Sequence, residues 1–379
     1  MVQKVLLVAL VGGAIAGCLS CGATANHYVY ATIPTTNQLQ AFREDPNSGV
    51  LTELFGSPYS VGDGAHFIVI HPSGNFAYVA NPGEGANGEN DISLFNIASD
   101  GGLTEQFPRT SLGSTAQVPQ VLAMDPAGGY LYVMDAGSQG YISVFSIDSS
   151  SGALTEVTNS PFPIGEPPLN MQVTPSGSFL YVSIASAPNC LASGGAASGG
   201  IAAFSVSAGQ LSLVGVTCSD GGSPYGLVIS PDGNYVYAAN FASNSNSISI
   251  FAVQPTGALQ VVPGSPISAG YSNPIAMTFD PAGKYLYVAN QGSNNITSFS
   301  ISSTTGLPAA LTTSTATNAF TTEASPSFIV TDPNGNYLFV GNQGTSAVAI
   351  ESFSISSGSL TILTNYGVSS TVSSIAVLK

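Results

Sequence analysis

The segment Asp280-Pro281-Ala282-Gly283-Lys284-Tyr285-Leu286-Tyr287-Val288-Ala289-Asn290 decides the architecture. Proline presets φ for a turn, glycine accepts positive φ, and the aspartate before the proline can cap the turn with its side chain. Tyr285 and Tyr287, two residues apart, fall on one face of the strand that follows. An apolar run, Ile275-Ala276-Met277-Thr278-Phe279, leads into the turn. The segment therefore reads as a β-hairpin, with an inner strand, a tight turn and a second strand.

The same hairpin recurs along the chain. Pro-x-Gly-x-aromatic-x-aromatic occurs six times, starting at Pro72, Pro126, Pro175, Pro231, Pro281 and Pro333. A strand with a central phenylalanine recurs seven times, at Phe42 and then after each hairpin at Phe95, Phe145, Phe204, Phe251, Phe299 and Phe353, and a glycine and a leucine come soon after, as in Gly49/Leu51, Gly102/Leu103 and Gly152/Leu154. These seven copies lie 53, 50, 59, 47, 48 and 54 residues apart. Four antiparallel strands in about 50 residues make a propeller blade. The first copy, Tyr28-Val29-Tyr30, lacks an inner strand before it, and Ile375-Ala376-Val377-Leu378 is an inner strand with nothing after it. The fold class is thus all-β: a closed seven-bladed β-propeller over residues 27–379, its first blade completed by the C-terminal strand. The recurring Tyr, Phe and Leu positions read as packing between blades, each burial worth roughly 1.5–3 kcal/mol.

Composition agrees and narrows the function. Of 379 residues, 44% are hydrophobic and only 7% charged, with no tryptophan. That apolar content excludes a disordered acidic chain. Five Lys and Arg against twenty Asp and Glu leave no basic surface for phosphate backbones, so nucleic acid is excluded as a partner. Neither a Gly-His nor a Trp-Asp pair exists, so a WD-repeat scaffold does not fit, and a quinoprotein dehydrogenase is weakened by the lack of Trp docking motifs.

The N-terminus reads as an export signal. Lys4 precedes an apolar run over residues 5–16, too short for a membrane span of about 20 residues. Ile15-Ala16-Gly17-Cys18 resembles the lipobox of bacterial lipoproteins, which implies a signal peptide over 1–17, lipidation of Cys18 and a short tether over 18–26 holding Cys21. An ordinary secretory peptide cut near Ala23 or Ala25 is the alternative. Either way the mature chain works outside the cytoplasm as a monomer, and in the lipoprotein reading it meets the membrane only through its lipid. In that oxidising compartment Cys190 and Cys218 are expected to pair, pinning an inserted loop over 187–199 to the end of an outermost strand, with a free buried pair as the alternative. His27, His66 and His71 are the only histidines, and no Cys/His metal spacing exists. No metal or cofactor is expected; a calcium ion in the acidic loop over 84–91 is a remote option.

The hairpins and units such as Ile142-Ser143-Val144-Phe145-Ser146-Ile147 with Gly152-Ala153-Leu154-Thr155 resemble the lactonase propeller family, which includes 6-phosphogluconolactonase and muconate lactonizing enzymes. The Tyr-Val-Ala-Asn segments at 78–81 and 287–290 are also similar to surface-layer propellers. The lactonase resemblance implies a site at the channel mouth and hydrolysis of a sugar-type lactone. It also implies a histidine, an Arg-His pair, a glutamate and a further arginine, yet the matching positions hold Leu169, Tyr225-Gly226, Phe241 and Ser327. After the signal peptide the strong cations are Arg43, Arg109, Lys284 and Lys379.

What remains is a polar mouth. The position six before each hairpin proline carries His66, Gln120, Leu169, Tyr225, Ile275 and Ser327, with Asn170 beside it. The binding candidates are His66, Gln120, Asn170, Tyr225 and Ser327. Of these, His66 alone titrates near neutral pH, as a base or as a hydrogen-bonded structural group. The loops between second and third strands on that same rim carry Asn81, Asp135, Asn240, Asn290 and Asn342, either to bind sugars or to make turns. A small molecule or carbohydrate is the expected partner. Two functions stay open: a lactonase, and a non-catalytic binding or cell-envelope propeller.

Overall fold

A computed structural model describes residues 27–83, 90–113, 118–137, 139–191, 197–219, 222–241, 245–311, 318–344, 349–367 and 371–378. The signal peptide, Cys18, the tether and residues 84–89 of the acidic loop lie outside them. Seven antiparallel sheets ring a central channel. In six of them the hairpin strands take the two inner places. The sixth blade, for example, runs Pro274–Phe279, Tyr285–Asn290, Asn295–Ile301 and Pro308–Ala310 from channel to rim. Among the described residues the helical segments are two three-residue turns, Pro34–Thr36 and Gln291–Ser293.

The first blade is assembled from both ends of the chain. Ser374–Leu378 lies innermost against His27–Ile33, with Tyr28 opposite Leu378 and Thr32 opposite Ser374. Gln38–Glu44 and Leu51–Glu53 complete it. The ring therefore has no open sheet edge at its seam.

One device joins every blade to the next. The first aromatic of each blade lies against the positive-φ glycine that turns the third strand into the fourth in the neighbouring blade. Tyr28, Phe76, Tyr130, Phe179, Tyr235, Tyr285 and Tyr337 leave no room for a Cβ on Gly101, Gly152, Gly209, Gly257, Gly306, Gly358 and Gly49, in that order. The last pair, Tyr337 on Gly49, spans the seam, so closure uses the same contact as the other six interfaces. In the second blade Gly101 takes this place, where the sequence pattern pointed to Gly102. The second aromatic of each pair (Tyr78, Tyr132, Tyr181, Tyr237, Tyr287 and Phe339) is fully buried.

Thirty-two strand segments fill twenty-eight blade positions, because four outermost strands are split in two. At three of the splits a serine before a proline repairs the ladder. Ser57, Ser160 and Ser265 each accept, through the hydroxyl, a hydrogen bond from a third-strand amide, at Ala41, Val144 and Ile250. The fourth blade differs again. Its insertion, expected as a loop, lengthens two strands to Phe179–Leu191 and Ala197–Ser207. A disulfide joins Cys190 in the first of them to Cys218 at the end of Gln210–Cys218, with Cα atoms 5.3 Å apart.

Candidate functional site at the channel mouth

A cavity of about 780 Å³ occupies the channel, and the five candidates His66, Gln120, Asn170, Tyr225 and Ser327 all line it. So do Leu169, Ile275 and Phe241. The backbone explains why these positions face inward. In blades three to seven the inner strand starts with a proline (Pro119, Pro168, Pro224, Pro274 and Pro326) and the register slips just after it. A β-bulge at Gln120, Leu169, Tyr225, Ile275 and Ser327 re-aims the side chain toward the axis. Proline suits the spot, since a bulged strand start needs no ladder donor there.

The lining is uncharged. Among the described residues around the cavity none is Asp, Glu, Lys or Arg. His66 is half-buried, and its Nδ1 lies 2.9 Å from the carbonyl of Gln120. A carbonyl can only accept, so Nδ1 carries the proton and Nε2 keeps its lone pair. Burial lowers the His66 pKa, and the Gln120 carbonyl opposes that in part, so the ring is neutral at pH 7. The hydroxyl of Ser327 donates to the carbonyls of Val372 and Gly341, at 3.1 and 3.2 Å, and so holds the strand entry together. The Oδ1 of Asn170 accepts from the amide of Met171 at 2.8 Å. Tyr225, 41% exposed, sets its ring 5.2 Å from that of Phe241, an aromatic ledge at the mouth.

A family model described as lactonase, 7-bladed β-propeller, matches residues 23–169, 168–261 and 226–321. The chain belongs to this lactonase family. No curated protein matches it. Among solved structures, a Bacteroides uniformis protein assigned as a 6-phosphogluconolactonase superposes with a TM-score of 0.75 at 17% identity, over 93% of this chain and 99% of the other. The periplasmic gluconolactonase of Pseudomonas aeruginosa gives 0.73 at 16% identity, over 93% and 99%. At such identity these likenesses speak for the fold.

In this lactonase propeller the asparagine rim is a correction. Asn81, Asp135, Asn240, Asn290 and Asn342 are fully or almost fully buried, neither turn residues nor open to a sugar. Their side chains tie the end of the second strand to the third strand or to a nearby loop. Asn240 Nδ2 donates to Ser247 and Ser249, Asn290 Nδ2 to Asn295 and Thr297, and Asn342 Nδ2 to Glu351. Asp135 instead accepts from the amides of Val118 and Gly137. Gln291 and Gln343, one residue beyond two of these asparagines, do line the mouth, as does Ser373 just before the closing strand. The residue after each buried asparagine was the available signal, since a strand reverses its facing at every step.

Proposed function

We propose that this chain is an extracytoplasmic, lipid-anchored lactonase-family propeller whose channel mouth binds an uncharged polyhydroxy ligand, a sugar or sugar lactone. The observation that carries this is the uncharged lining. A phosphorylated or carboxylated lactone needs a cation to meet its charge in a partly dry cavity, whereas a neutral sugar needs amides and hydroxyls plus an apolar ledge for its C–H face. Gln120, Gln291 and Gln343 supply the first, and Tyr225 with Phe241 the second. The N-terminal sequence supports export and a lipid on Cys18, and one structural neighbour is itself named periplasmic. Titration calorimetry with glucono-δ-lactone, its methyl glycoside analogues and 6-phosphogluconate tests the claim. Neutral compounds bind, Tyr225→Ala weakens them about tenfold, a loss of about 1.4 kcal/mol, and the phosphorylated acid does not bind. Tighter binding of the phosphorylated compound would overturn it.

One observation favours a second reading, in which the same ligand is hydrolysed. His66 is held in the tautomer that leaves Nε2 free to take a proton from water. Lactone opening followed by pH-stat on wild type and His66→Ala decides: equal rates at the uncatalysed background leave a binding protein.

A further inference from the structure

The seam between the seventh and first blades holds a cluster of titratable side chains that, among the described residues, the other interfaces lack. From the second blade to the seventh, the hairpin turn of one blade packs on that of the next, as where Gly128 meets His71 and Gly177 meets Asp125. The first blade has no such turn, because its inner strand is the tail of the chain and its second strand the head. In that place Asp332 of the seventh blade meets His27 and Glu44, which face each other across the first blade's ladder.

Each of the two first-blade residues breaks the repeat. Two positions after the recurring phenylalanine the other six blades carry Ile97, Ile147, Val206, Val253, Ile301 and Ile355; the first blade carries Glu44, fully buried. The position before the first hairpin aromatic is exposed or half-exposed elsewhere, as at Asn75, Ser178 and Lys284, yet His27 is 4% exposed. His27 Nδ1 lies 3.4 Å from Glu44 Oε2 and 3.9 Å from Asp332 Oδ2. Despite that closeness, neither Nδ1 nor either oxygen of Glu44 makes a hydrogen bond among the described residues. No Lys or Arg among them pairs with either carboxylate. Two carboxyl groups and an imidazole thus converge, buried, with the lone pairs of Glu44 and of His27 Nδ1 unspent.

We propose that His27, Glu44 and Asp332 bind one divalent transition-metal ion of the zinc class, which clasps the head of the chain to the last full blade. The donor set is one imidazole nitrogen and two carboxylate oxygens, suited to zinc and its neighbours. Calcium, which takes six to eight oxygens, is poorly served. Zinc bonds of about 2.0–2.2 Å at tetrahedral angles place ligand atoms about 3.3–3.6 Å apart. The His27–Glu44 separation falls in that range, and the His27–Asp332 separation must close by a few tenths of an ångström. The ion's charge balances the two carboxylates. Asp332 is already oriented, its oxygens accepting from the amides of Tyr337 at 2.6 Å and Asn334 at 3.0 Å. The Asn334 amide lies 3.3 Å from His27 Nε2. With Nδ1 on the metal, Nε2 bears the proton, and the Asn334 amide group, turned over, offers its carbonyl to it.

The full mature chain, stripped with a chelator and dialysed, is titrated with zinc chloride by calorimetry, its metal content read by mass spectrometry, and its cobalt(II) form by visible absorption. About one equivalent of zinc binds, the unfolding midpoint rises by several degrees, and cobalt gives the intense d–d bands of a four-coordinate site. Glu44→Gln, which keeps the shape, and His27→Gln lose the zinc and the bands while keeping the far-ultraviolet circular dichroism of the fold. A wild-type chain that takes up no stoichiometric zinc overturns the proposal, since the carboxylates then hold protons instead. Equal binding by Glu44→Gln overturns it too, because the ion then sits elsewhere. An equal or larger midpoint shift with calcium overturns the assigned metal class.

Discussion

Glu44 and Glu351 are both glutamates buried in third strands, on the two blades that meet at the seam, and they are furnished in opposite ways. Glu351 accepts hydrogen bonds from Asn342 Nδ2 at 2.9 Å and from the backbone amide of Glu323 at 3.0 Å. Glu44 accepts none among the described residues and has His27 and Asp332 for neighbours. Burial raises both pKa values. For Glu351 the two donors work against that rise, while for Glu44 nothing does, and the negative charges of Asp332 and Asp45 add to it, to about 8. A buried carboxylate that brings its donors is part of the scaffold, replacing the serine or threonine found at Ser93, Ser249 and Thr297. One that lacks them is incomplete without a cation or a proton.

Replacing each glutamate with an aliphatic residue should split the pair most widely. Glu351→Leu strands the Asn342 amide and the Glu323 N–H, and two buried orphan donors cost about 2–5 kcal/mol. Glu44→Ile restores the residue type of the other six blades and strands no donor held by it. In chelator, that variant should be more stable than wild type by about 1–4 kcal/mol, as when other buried ionic groups are exchanged for packed apolar ones. Denaturant unfolding of both variants reads the difference. Two losses of similar size would erase the distinction.

A pH series sharpens it. The groups facing Glu44 are His27, Asp332, Asp45 and Tyr337. With its folded-state pKa raised from 4.5 to about 8, Glu44 holds a proton in the folded chain that it has already lost in the unfolded one. Its contribution to stability is full below about pH 4.5 and is lost as pH rises toward 8. In chelator the unfolding free energy of wild type should fall across that window more steeply than that of Glu44→Gln. Parallel profiles would mean that Glu44 keeps an ordinary pKa.

Most of the scaffold was legible because its causes are local and repeated. Pro-x-Gly with two aromatics writes the hairpin, and the half-blade at Tyr28 with its complement at Ile375 writes the closure. The channel mouth was half legible. Distance from the hairpin proline located His66, Gln120 and Tyr225, but the proline one step earlier, which creates the bulge, carried the better signal and would have explained why the step faces inward. Asn240 and Asn290 misled, since a strand-ending asparagine looks the same in sequence whether it faces solvent or ties two strands together. The seam cluster was not legible from spacing. His27, Glu44 and Asp332 come from the two ends of the chain, and only the closed ring makes them neighbours, although Glu44 stood out of register with six aliphatic residues in the aligned repeats.

The same rule, that partners and not burial decide a polar group's worth, should hold at smaller scale in the tyrosine ring. Tyr30, Tyr78, Tyr181 and Tyr237 donate to the carbonyls of Gly101, Gly152, Gly257 and Gly306 in the next blade at 2.6–3.0 Å. Tyr132 and Tyr287 are as deeply buried, yet their hydroxyls have no partner among the described residues. The cause lies across the interface. The fourth and seventh blades reverse through tight two-residue turns, Ala208-Gly209 and Ser357-Gly358, both residues at positive φ, where the other blades use longer ones. The shorter turn still seats the first aromatic on its glycine, but it offers the second no carbonyl. Tyr78→Phe should therefore cost about 0.5–1.5 kcal/mol by leaving the Gly152 carbonyl unpaired, and Tyr132→Phe should be neutral or slightly stabilising. Equal losses in thermal unfolding would show that the hydroxyls matter through packing alone.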